Sequence, residues 1–311
     1  MSLDVAESGL AMRDHSTPAT LSKSRPLNAM TVDVEDYFQV EAFAKVISRD
    51  DWDALPSRVE ANTERLLGLF AEADVKATFF VLGWIALRHR GLIRRIVEGG
   101  HELASHGLQH LRANLQSNDE FRADVRQAKQ ILEDIGGVSV RGYRAATFSI
   151  GRANWWAFDV LAEEGYAYSS SVFPIAHDLY GMPDAPRGPF RPTGAAFTEV
   201  PLTTLRIAGK NLPCSGGGYF RLLPYAVSRL AFARIIRQER HPCVFYCHPW
   251  EIDAAQPRQT QAPLKSRFRH YLNLHKMEHR LRRLLHDFPW GRMDETFPEI
   301  AAAVDVPKRP H

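Results

Sequence analysis

The sequence predicts an α/β fold built on a parallel sheet or a β/α barrel. Strand and helix signals alternate along the chain from residue 29 onward, and glycine pairs or capping residues separate many of them. Apolar residues make up 45% and charged residues 24% of the 311 residues, which excludes a disordered chain or a disulfide-stapled miniprotein. The net charge of +3 is too balanced to make nucleic acid an obligate partner.

The predicted strands are short, apolar and rich in β-branched residues, and they cover 29–34, 75–82, 101–105, 140–145, 166–169 and 242–247. The predicted helices begin near residues 57, 84, 117, 152 and 224. Two of them start with a capping box, Ser57 to Glu60 and Ser117 to Glu120, because the serine can accept a free amide while the glutamate reaches back. The glycine pairs at 99–100 and 136–137 predict helix ends.

The remaining segments predict loops, a tail and a helical extension. Residues 174–192 contain five prolines and residues 214–219 contain three consecutive glycines, so both predict loops. Residues 264–288 carry seven Lys or Arg against two acids and an apolar stripe, which predicts one basic amphipathic helix. Residues 1–28 are polar, contain no signal-peptide core and are expected to form a mobile tail.

Composition also bears on the cellular location. No apolar run reaches the roughly 18 residues that a membrane span needs. The three cysteines are too few and odd in number for a disulfide framework, which favours a reducing compartment. We therefore expect a cytoplasmic protein.

Acidic side chains follow the first predicted strand. Asp33, Glu35 and Asp36 place three carboxylates within four residues. Carboxylates gathered so closely repel one another, so a fold that holds them together usually shares a cation or a proton among them. Solvated turn carboxylates are the plainer interpretation of this segment alone.

Basic and imidazole groups follow three other predicted strands. His106 and His110 form an i, i+4 pair which, with one carboxylate, would complete the open three-ligand site of a hydrolytic metal. Arg144 ends the strand near 140 and would keep carboxylates ionised if it were buried beside them. His248 directly follows the strand 242–247 and could act as a general acid or base. Each group alone has a structural explanation, but their order on separate β/α units points to one site.

This set of motifs resembles the polysaccharide deacetylases of carbohydrate esterase family 4, the NodB-homology domain, over roughly residues 29–251. Residues 32–36 resemble the first motif, usually Thr-Phe-Asp-Asp-Gly, and residues 77–83 resemble the second core strand. Residues 100–106 with His110 resemble the Gly-His-Glu and His-x-x-x-His segment. Residues 143–147 stand where the family has Arg-x-Pro, and His248 stands at the final histidine motif.

A narrower resemblance is to the subgroup with Val-Asp-Val-Glu-Asp-Tyr and His-Pro-Trp-Glu, which is associated with exosortase (PEP-CTERM) exopolysaccharide loci. In that subgroup an extension follows the barrel, and residues 267–271 and 281–288 resemble parts of it. The resemblance implies a tail over 1–28, a distorted β/α barrel of about seven strands over 29–251 and a helical extension packed on it over 252–311.

The family resemblance also implies an activity, which is hydrolysis of N-acetyl groups on the hexosamines of a polysaccharide or its lipid-linked precursor. It implies a divalent metal, most simply zinc, held by two histidines and a carboxylate. The metal set expected from an overlay of Glu35-Asp36 on the usual Asp-Asp pair is Asp36, His106 and His110, with Glu35 as the base. A shifted overlay makes Asp33 the base and Glu35 the ligand, and the sequence leaves both open with a slight preference for Asp36.

Further roles follow from the same resemblance. Arg144 would orient the base, His248 would protonate the departing amine and a backbone amide near Thr147 could share the oxyanion. Tyr219 and Trp250 could line a sugar groove, or they could be ordinary core aromatics. The chain departs from the family where Gly107 replaces a Ser or Thr, where Ala146 replaces the motif proline and where residues 169–171 are Ser-Ser-Ser instead of including an Asp.

Two other functions remain open at this point. The barrel could bind a glycan or a synthesis partner without catalysis, or it could hydrolyse a small cyclic amide. The basic segment 264–288 is expected to pack on the barrel with its charged face in solvent. The alternative is that this charged face contacts an acidic membrane surface.

Overall fold

The computed structural model describes residues 27–194 and 196–301. The strands in this part of the chain are β1 Asn28–Val34, β2 Thr78–Val81, β3 Glu102–Ser105, β4 Gly142–Tyr143, β5 Tyr168–Ser169, β6 Thr198–Glu199, β7 Thr204–Ile207, β8 Lys210–Pro213, β9 Val244–Cys247 and β10 Trp290–Gly291. The helices are α1 Val59–Glu72, α2 Gly83–Arg88, α3 Arg90–Glu98, α4 Asn118–Gly136, α5 Trp156–Glu163, α6 Gly217–Leu222, α7 Tyr225–Arg234, α8 Leu264–Tyr271, α9 Leu274–Asp287, α10 Met293–Thr296 and α11 Pro298–Ala301.

A parallel sheet organises these elements and confirms the predicted α/β class. Among the described residues, seven strands in the order β9-β1-β2-β3-β4-β5-β6 form a half-barrel, with β10 pairing against the start of β1. All seven residues of β1 are buried, as expected for a parallel strand covered on both faces. Because β1 lies between β2 and β9, the residues that follow these three strands meet at one edge.

Side chains alternate between the two sides of the half-barrel. Phe79 and Leu103 face an outer layer with α3 and α4, whereas their neighbours Phe80 and Ala104 face the interior. Strand β9 follows the same rule, since Phe245 packs outward and Tyr246 inward. The interior thus offers an apolar lining at the depth where the polar strand ends converge.

The structure corrects several predicted helix boundaries. The capping box of Ser117 and Glu120 is confirmed at the start of α4. The one at Ser57 is wrong, because α1 begins at Val59 and the Ser57 hydroxyl donates to Asp36 instead. The predicted helix from residue 84 to 99 is divided into α2 and α3 at His89.

The C-terminal half differs more from the expectation. The segment 264–288 is two helices, α8 and α9, divided where Asn273 adopts a left-handed backbone with φ of 52°. Residues 217–219, predicted as loop, begin α6. The β7–β8 hairpin was not predicted. The apolar stripe of α9 is buried, as expected, at Leu274, Met277, Leu281, Leu284 and Leu285.

The structure describes only parts of the two predicted terminal segments, 1–28 and 252–311. The tail expected over 1–28 lies outside the described residues except for Leu27 and Asn28, and Asn28 is already buried in β1. Residues 290–291, inside the predicted extension 252–311, form β10 of the main sheet. Within the described chain, no helix combines the length and apolarity needed to cross a membrane.

Candidate metal and active site

Two histidines and one carboxylate form a compact cluster at the edge where β1 and β3 end. Glu35, His106 and His110 are all buried, and one ligand atom from each lies within 4.8 Å of the others. Glu35 Oε2 is 2.9 Å from His110 Nε2, yet this buried oxygen accepts no hydrogen bond in the structure. Buried polar atoms are rarely left without a partner. One carboxylate and two imidazoles this close together form a donor set that a cation would complete.

The histidines are oriented by backbone contacts. His106 Nδ1 lies 2.8 Å from the carbonyl oxygen of Arg144, so Nδ1–H donates there and Nε2 is left for a metal. Burial lowers the pKa of His106 to about 4, which keeps the imidazole neutral and able to bind a cation. Arg49 holds the second histidine by donating to the carbonyl oxygens of Gln109 and His110.

The glycine between the histidines has a physical explanation. Gly107 has a φ of 80°, and a Cβ built there would lie 2.9 Å from Asp124 Oδ2. The same Asp124 oxygen, at the buried face of α4, accepts from the Leu108 amide at 3.1 Å. The aspartate therefore braces the histidine loop and occupies the space that a larger residue at position 107 would need.

The preferred assignment of Asp36 as a metal ligand is contradicted. Asp36 Oδ1 accepts from the Tyr37 amide, and Oδ2 accepts from the Ser57 hydroxyl and from the amides of Arg58 and Val59 at 2.7 and 3.0 Å. Asp36 therefore caps the N-terminus of α1 and lies outside the cluster of Glu35 and the histidines. The physical reason is that neighbouring residues at the end of a strand point in different directions.

A buried ion pair lies beside the cluster. Arg144 is fully buried, and its Nη1 donates to Asp33 Oδ1 at 2.6 Å and to Thr31 Oγ1 at 2.8 Å. Its other donors bind the carbonyl and hydroxyl oxygens of Ser170 at 3.0 Å each. The guanidinium also lies 4.1 Å from the centre of the Phe80 ring. These contacts hold Asp33 in one orientation, and Ser170 binds Arg144 within the segment where the family often has an aspartate.

His248 faces both carboxylates from the end of β9. Its Nε2 is 3.3 Å from Glu35 Oε1 and 4.0 Å from Asp33 Oδ2, while its Nδ1 is 2.7 Å from Glu251 Oε1. Burial opposes a positive charge on His248, but the surrounding carboxylates outweigh it and raise its pKa to about 9. The same pairing acts on Glu35, whose pKa is held well below its usual range by His110 and His248 although burial opposes this.

The three residues expected at the substrate differ in their outcome. Thr147 is half-buried three residues after Arg144, with a left-handed backbone (φ of 56°) followed by a second left-handed residue, Phe148. Tyr219 is half-buried in α6. Both assignments stay predictions. Trp250 is 7% exposed and its ring stacks with the rings of His248 and His270, so little of its surface is free to line a sugar groove.

Several residues around the site were not assigned from the sequence. Glu251 belongs to the His-Pro-Trp-Glu motif and His270 to the segment 267–271, yet neither received a role. Asp124 carried a detectable signal, since it is an acid on the buried face of α4. Arg221 carried none, because one arginine among 39 basic residues cannot be singled out from the pattern.

The fold and the site together define a parallel β/α protein with a buried two-histidine, one-carboxylate centre. Residues 48–168 match the sequence model of the family described as Polysaccharide deacetylase. Residues 170–298 match a second model, described as Domain of unknown function (DUF3473). The chain thus carries, over residues 48–168, a region similar to the polysaccharide deacetylases.

Individual relatives agree with this family. The chain is 30% identical over 71 residues to a peptidoglycan-N-acetylglucosamine deacetylase of Bacillus cereus, a match over 23% of this chain and 33% of that protein. The chain spans only part of the length of its curated relatives: 33% of this one, 16% of a peptidoglycan-N-acetylglucosamine deacetylase of Listeria monocytogenes and 49% of a chitooligosaccharide deacetylase of Sinorhizobium fredii.

Solved structures show the same fold across nearly the whole chain. A Mycobacterium smegmatis protein assigned to the polysaccharide deacetylases is 21% identical, with a TM-score of 0.56 over 91% of this chain and 93% of that chain. The allantoinase Puue is 16% identical, with a TM-score of 0.58 over 92% of this chain and 94% of that chain. At these identities the likeness defines the architecture and not the reaction.

Proposed function

We propose that the protein is a metal-dependent deacetylase that hydrolyses N-acetyl groups on the hexosamine units of a polysaccharide or its lipid-linked precursor. One observation carries the proposal: Glu35, His106 and His110 converge beside the Arg144-held carboxylate of Asp33 and beside His248. The match of residues 48–168 to the polysaccharide deacetylase family supports the reaction type.

The donor set fits a divalent cation. Two neutral imidazole nitrogens and one carboxylate oxygen are the usual protein ligands of a hydrolytic zinc ion, and they leave positions open for water and substrate. The buried Glu35 oxygen without a hydrogen bond is the observation that favours this fit. When bound, such a cation lowers the pKa of water and polarises the amide carbonyl.

The chain's own residues would carry the proton transfers. Asp33, held by Arg144, accepts a proton from the water whose oxygen bonds to the acetyl carbon. His248 is positively charged near neutral pH, and its Nε2 gives a proton to the amide nitrogen as the C–N bond breaks. The products are acetate and a free amine. Asp33 Oδ2 and His248 Nε2 are 4.0 Å apart, so the group that accepts the proton and the group that donates one lie beside the same reacting centre.

The biological setting belongs to the same proposal. The motifs at 32–37 and 248–251 support an exosortase-associated role in exopolysaccharide biosynthesis. The three cysteines are buried and unpaired, which supports action in the reducing cytoplasm on a lipid-linked precursor. Contact with an anionic membrane would involve α8, where Leu264 and Phe268 are 78% and 60% exposed beside Lys265 and Arg269.

The deciding experiment measures acetate release from a soluble N-acetylglucosamine oligomer by the purified protein, by the protein treated with a chelator, and after zinc add-back. We expect activity that is lost on chelation and restored by zinc, and that is absent in His106→Ala. Full activity of His106→Ala would contradict the proposal. Zinc binding without acetate release would favour a non-catalytic glycan-binding barrel, and turnover of cyclic amides instead of the oligomer would favour the small-amide alternative.

A further inference from the structure

The segment 170–298, which matches the domain of unknown function, covers the rear of the candidate site. It supplies His248 itself and the side chains packed behind it. Trp250 Nε1 donates to Glu35 Oε1 at 3.3 Å, so the indole contacts the oxygen opposite to the one beside His110. The position of Trp250 therefore bears directly on the orientation of the carboxylate.

Three rings form a continuous stack in this region. The Trp250 ring lies 5.1 Å from the His248 ring at an interplanar angle of 19° and 4.1 Å from the His270 ring at 14°. His270 lies near the C-terminal end of α8 and is 3% exposed. Its other close ring neighbours are Phe43, at 4.5 Å, and Tyr271, at 4.7 Å. The indole thus stacks with one histidine that faces the carboxylates and with one that does not.

The His270 ring has a defined orientation. Its Nε2 lies 2.6 Å from Gln256 Oε1, and the Gln256 amide nitrogen donates to the carbonyl oxygens of Trp250 and Asp253. Because the amide nitrogen is used for those two bonds, the amide oxygen faces the histidine and Nε2–H donates to it. Burial, reinforced by the charge of Arg221, lowers the pKa of His270 well below its usual range, so the ring is neutral.

Arg221 ties this stack to the rest of the segment. It is 1% exposed and donates to the carbonyl oxygens of His270 at 2.9 Å, Leu272 at 2.6 Å and Arg269 at 3.3 Å, which satisfies the C-terminus of α8. Its Nε lies 3.4 Å from Glu251 Oε2, and the other Glu251 oxygen contacts His248. One arginine therefore positions both α8 and the partner of His248.

We propose that His270 is a positioning residue of the site: its ring holds Trp250 against His248 and fixes the Trp250 hydrogen bond to Glu35. Arg221 supports it by fastening the end of α8. The segment of unknown function would then be part of the metal and reaction centre and not an accessory unit. The inference rests on the proposed function for the identity of the metal ligands, and it assigns the C-terminal segment a task within that centre.

The test compares His270→Leu, His270→Phe and Trp250→Phe with wild type, and uses His275→Leu as the matched control because His275 is exposed on α9. The first readout is zinc affinity, measured by competition with a chromophoric chelator on the full chain. The second is kcat and KM for acetate release from the N-acetylglucosamine oligomer. Groups that orient metal ligands typically change metal affinity or activity by about 10–100-fold when they are removed.

We expect His270→Leu to weaken zinc binding and to lower kcat, each by roughly tenfold, with KM within about twofold of wild type. His270→Phe restores a flat ring and should recover most of both losses, while His275→Leu should change neither. Trp250→Phe keeps the stack but removes the N–H, so we expect the zinc affinity to fall as in His270→Leu.

Unchanged zinc affinity and kcat in folded His270→Leu would overturn the inference. The inference would also fail if His270→Phe loses as much zinc affinity and kcat as His270→Leu does. If His270→Leu does not fold, Trp250→Phe decides, and wild-type zinc affinity there would overturn it. Wild-type protein that binds zinc without releasing acetate contradicts the proposed substrate alone, since the zinc comparison still holds. Wild-type protein that does not bind zinc at micromolar concentration contradicts the proposed function and this inference together.

Discussion

Glu35 and Asp36 are adjacent acids, and we expect mutations of the two residues to have different effects. The perturbation is a pair of isosteric neutralisations, Glu35→Gln and Asp36→Asn, with Asp36→Ala added to remove the second side chain. Glu35 shares the cluster with His106 and His110, whereas Asp36 accepts from three donors at the start of α1 and from the Tyr37 amide. We expect loss of metal binding from the first position and loss of stability from the second.

The size of the stability effect follows from the contacts. Removing an N-cap side chain costs about 0.5–2 kcal/mol. Leaving the buried Tyr37 amide without its acceptor adds about 1–3 kcal/mol. The free energy of unfolding of Asp36→Ala should therefore fall by about 3 kcal/mol. At about 2–4 °C per kcal/mol for a domain of this size, its Tm should fall by about 6–12 °C. Asp36→Asn should lose less, because the amide oxygen still accepts from α1.

The assay pairs urea unfolding of metal-free protein with zinc affinity by chelator competition. Metal-free protein is needed because bound zinc stabilises the folded state by mass action and would mix the two effects. Glu35→Gln should bind zinc at least about 100-fold more weakly, since one of three ligands is lost. If Asp36→Asn loses zinc binding while its unfolding midpoint is unchanged, the reasoning is refuted. Asp36 would then be the metal ligand, as the overlay of Glu35-Asp36 on the Asp-Asp pair implies.

Three further outcomes are expected. Gly107→Ala and Gly137→Ala should each lower the free energy of unfolding by about 1–2 kcal/mol, because both glycines have a left-handed backbone. Only at position 107 would the added Cβ contact Asp124, so only Gly107→Ala should also weaken zinc binding. Equal zinc affinities of the two variants would contradict the role of Asp124 in bracing the histidine loop. Burial raises the pKa of Glu199 from 4.5 to about 6, so between these pH values the folded state keeps a proton that the unfolded state releases. The free energy of unfolding should therefore fall by about 2 kcal/mol as the pH rises through this window. The same pH dependence of stability in Glu199→Gln would disprove this. Phe268→Asp should reduce the amount of protein that sediments with anionic liposomes at low salt. The control Leu230→Asp, which changes a 65% exposed leucine on α7, should not reduce it. Equal liposome binding by the two variants would exclude α8 as the membrane contact.

Much of the barrel was predictable because it depends on local patterns. Apolar runs predicted the regions of six strands, β1 to β5 and β9, and the serine and glutamate spacing at 117–120 predicted the start of α4. The break between α8 and α9 was not predicted, because no glycine or proline marks it in the sequence and the left-handed residue there is Asn273. The two-residue strands β6 and β10 were not predicted.

The sequence by itself determined which chemical groups could meet. Parallel strands end at a common edge, so acids after β1, histidines after β3, an arginine after β4 and a histidine after β9 had to lie near one another. It could not distribute roles among Asp33, Glu35 and Asp36, because spacing within one turn does not show which partner each side chain faces.

Only the tertiary structure decided those roles, through contacts between residues far apart in the chain. The first turn of α1 supplies the amides that occupy Asp36, and Arg144 occupies Asp33, which leaves Glu35 to the two histidines. The stack of His248, Trp250 and His270 likewise joins β9 to α8. Such contacts depend on packing geometry and on the competition of several donors for one carboxylate, and neither is encoded in a local pattern.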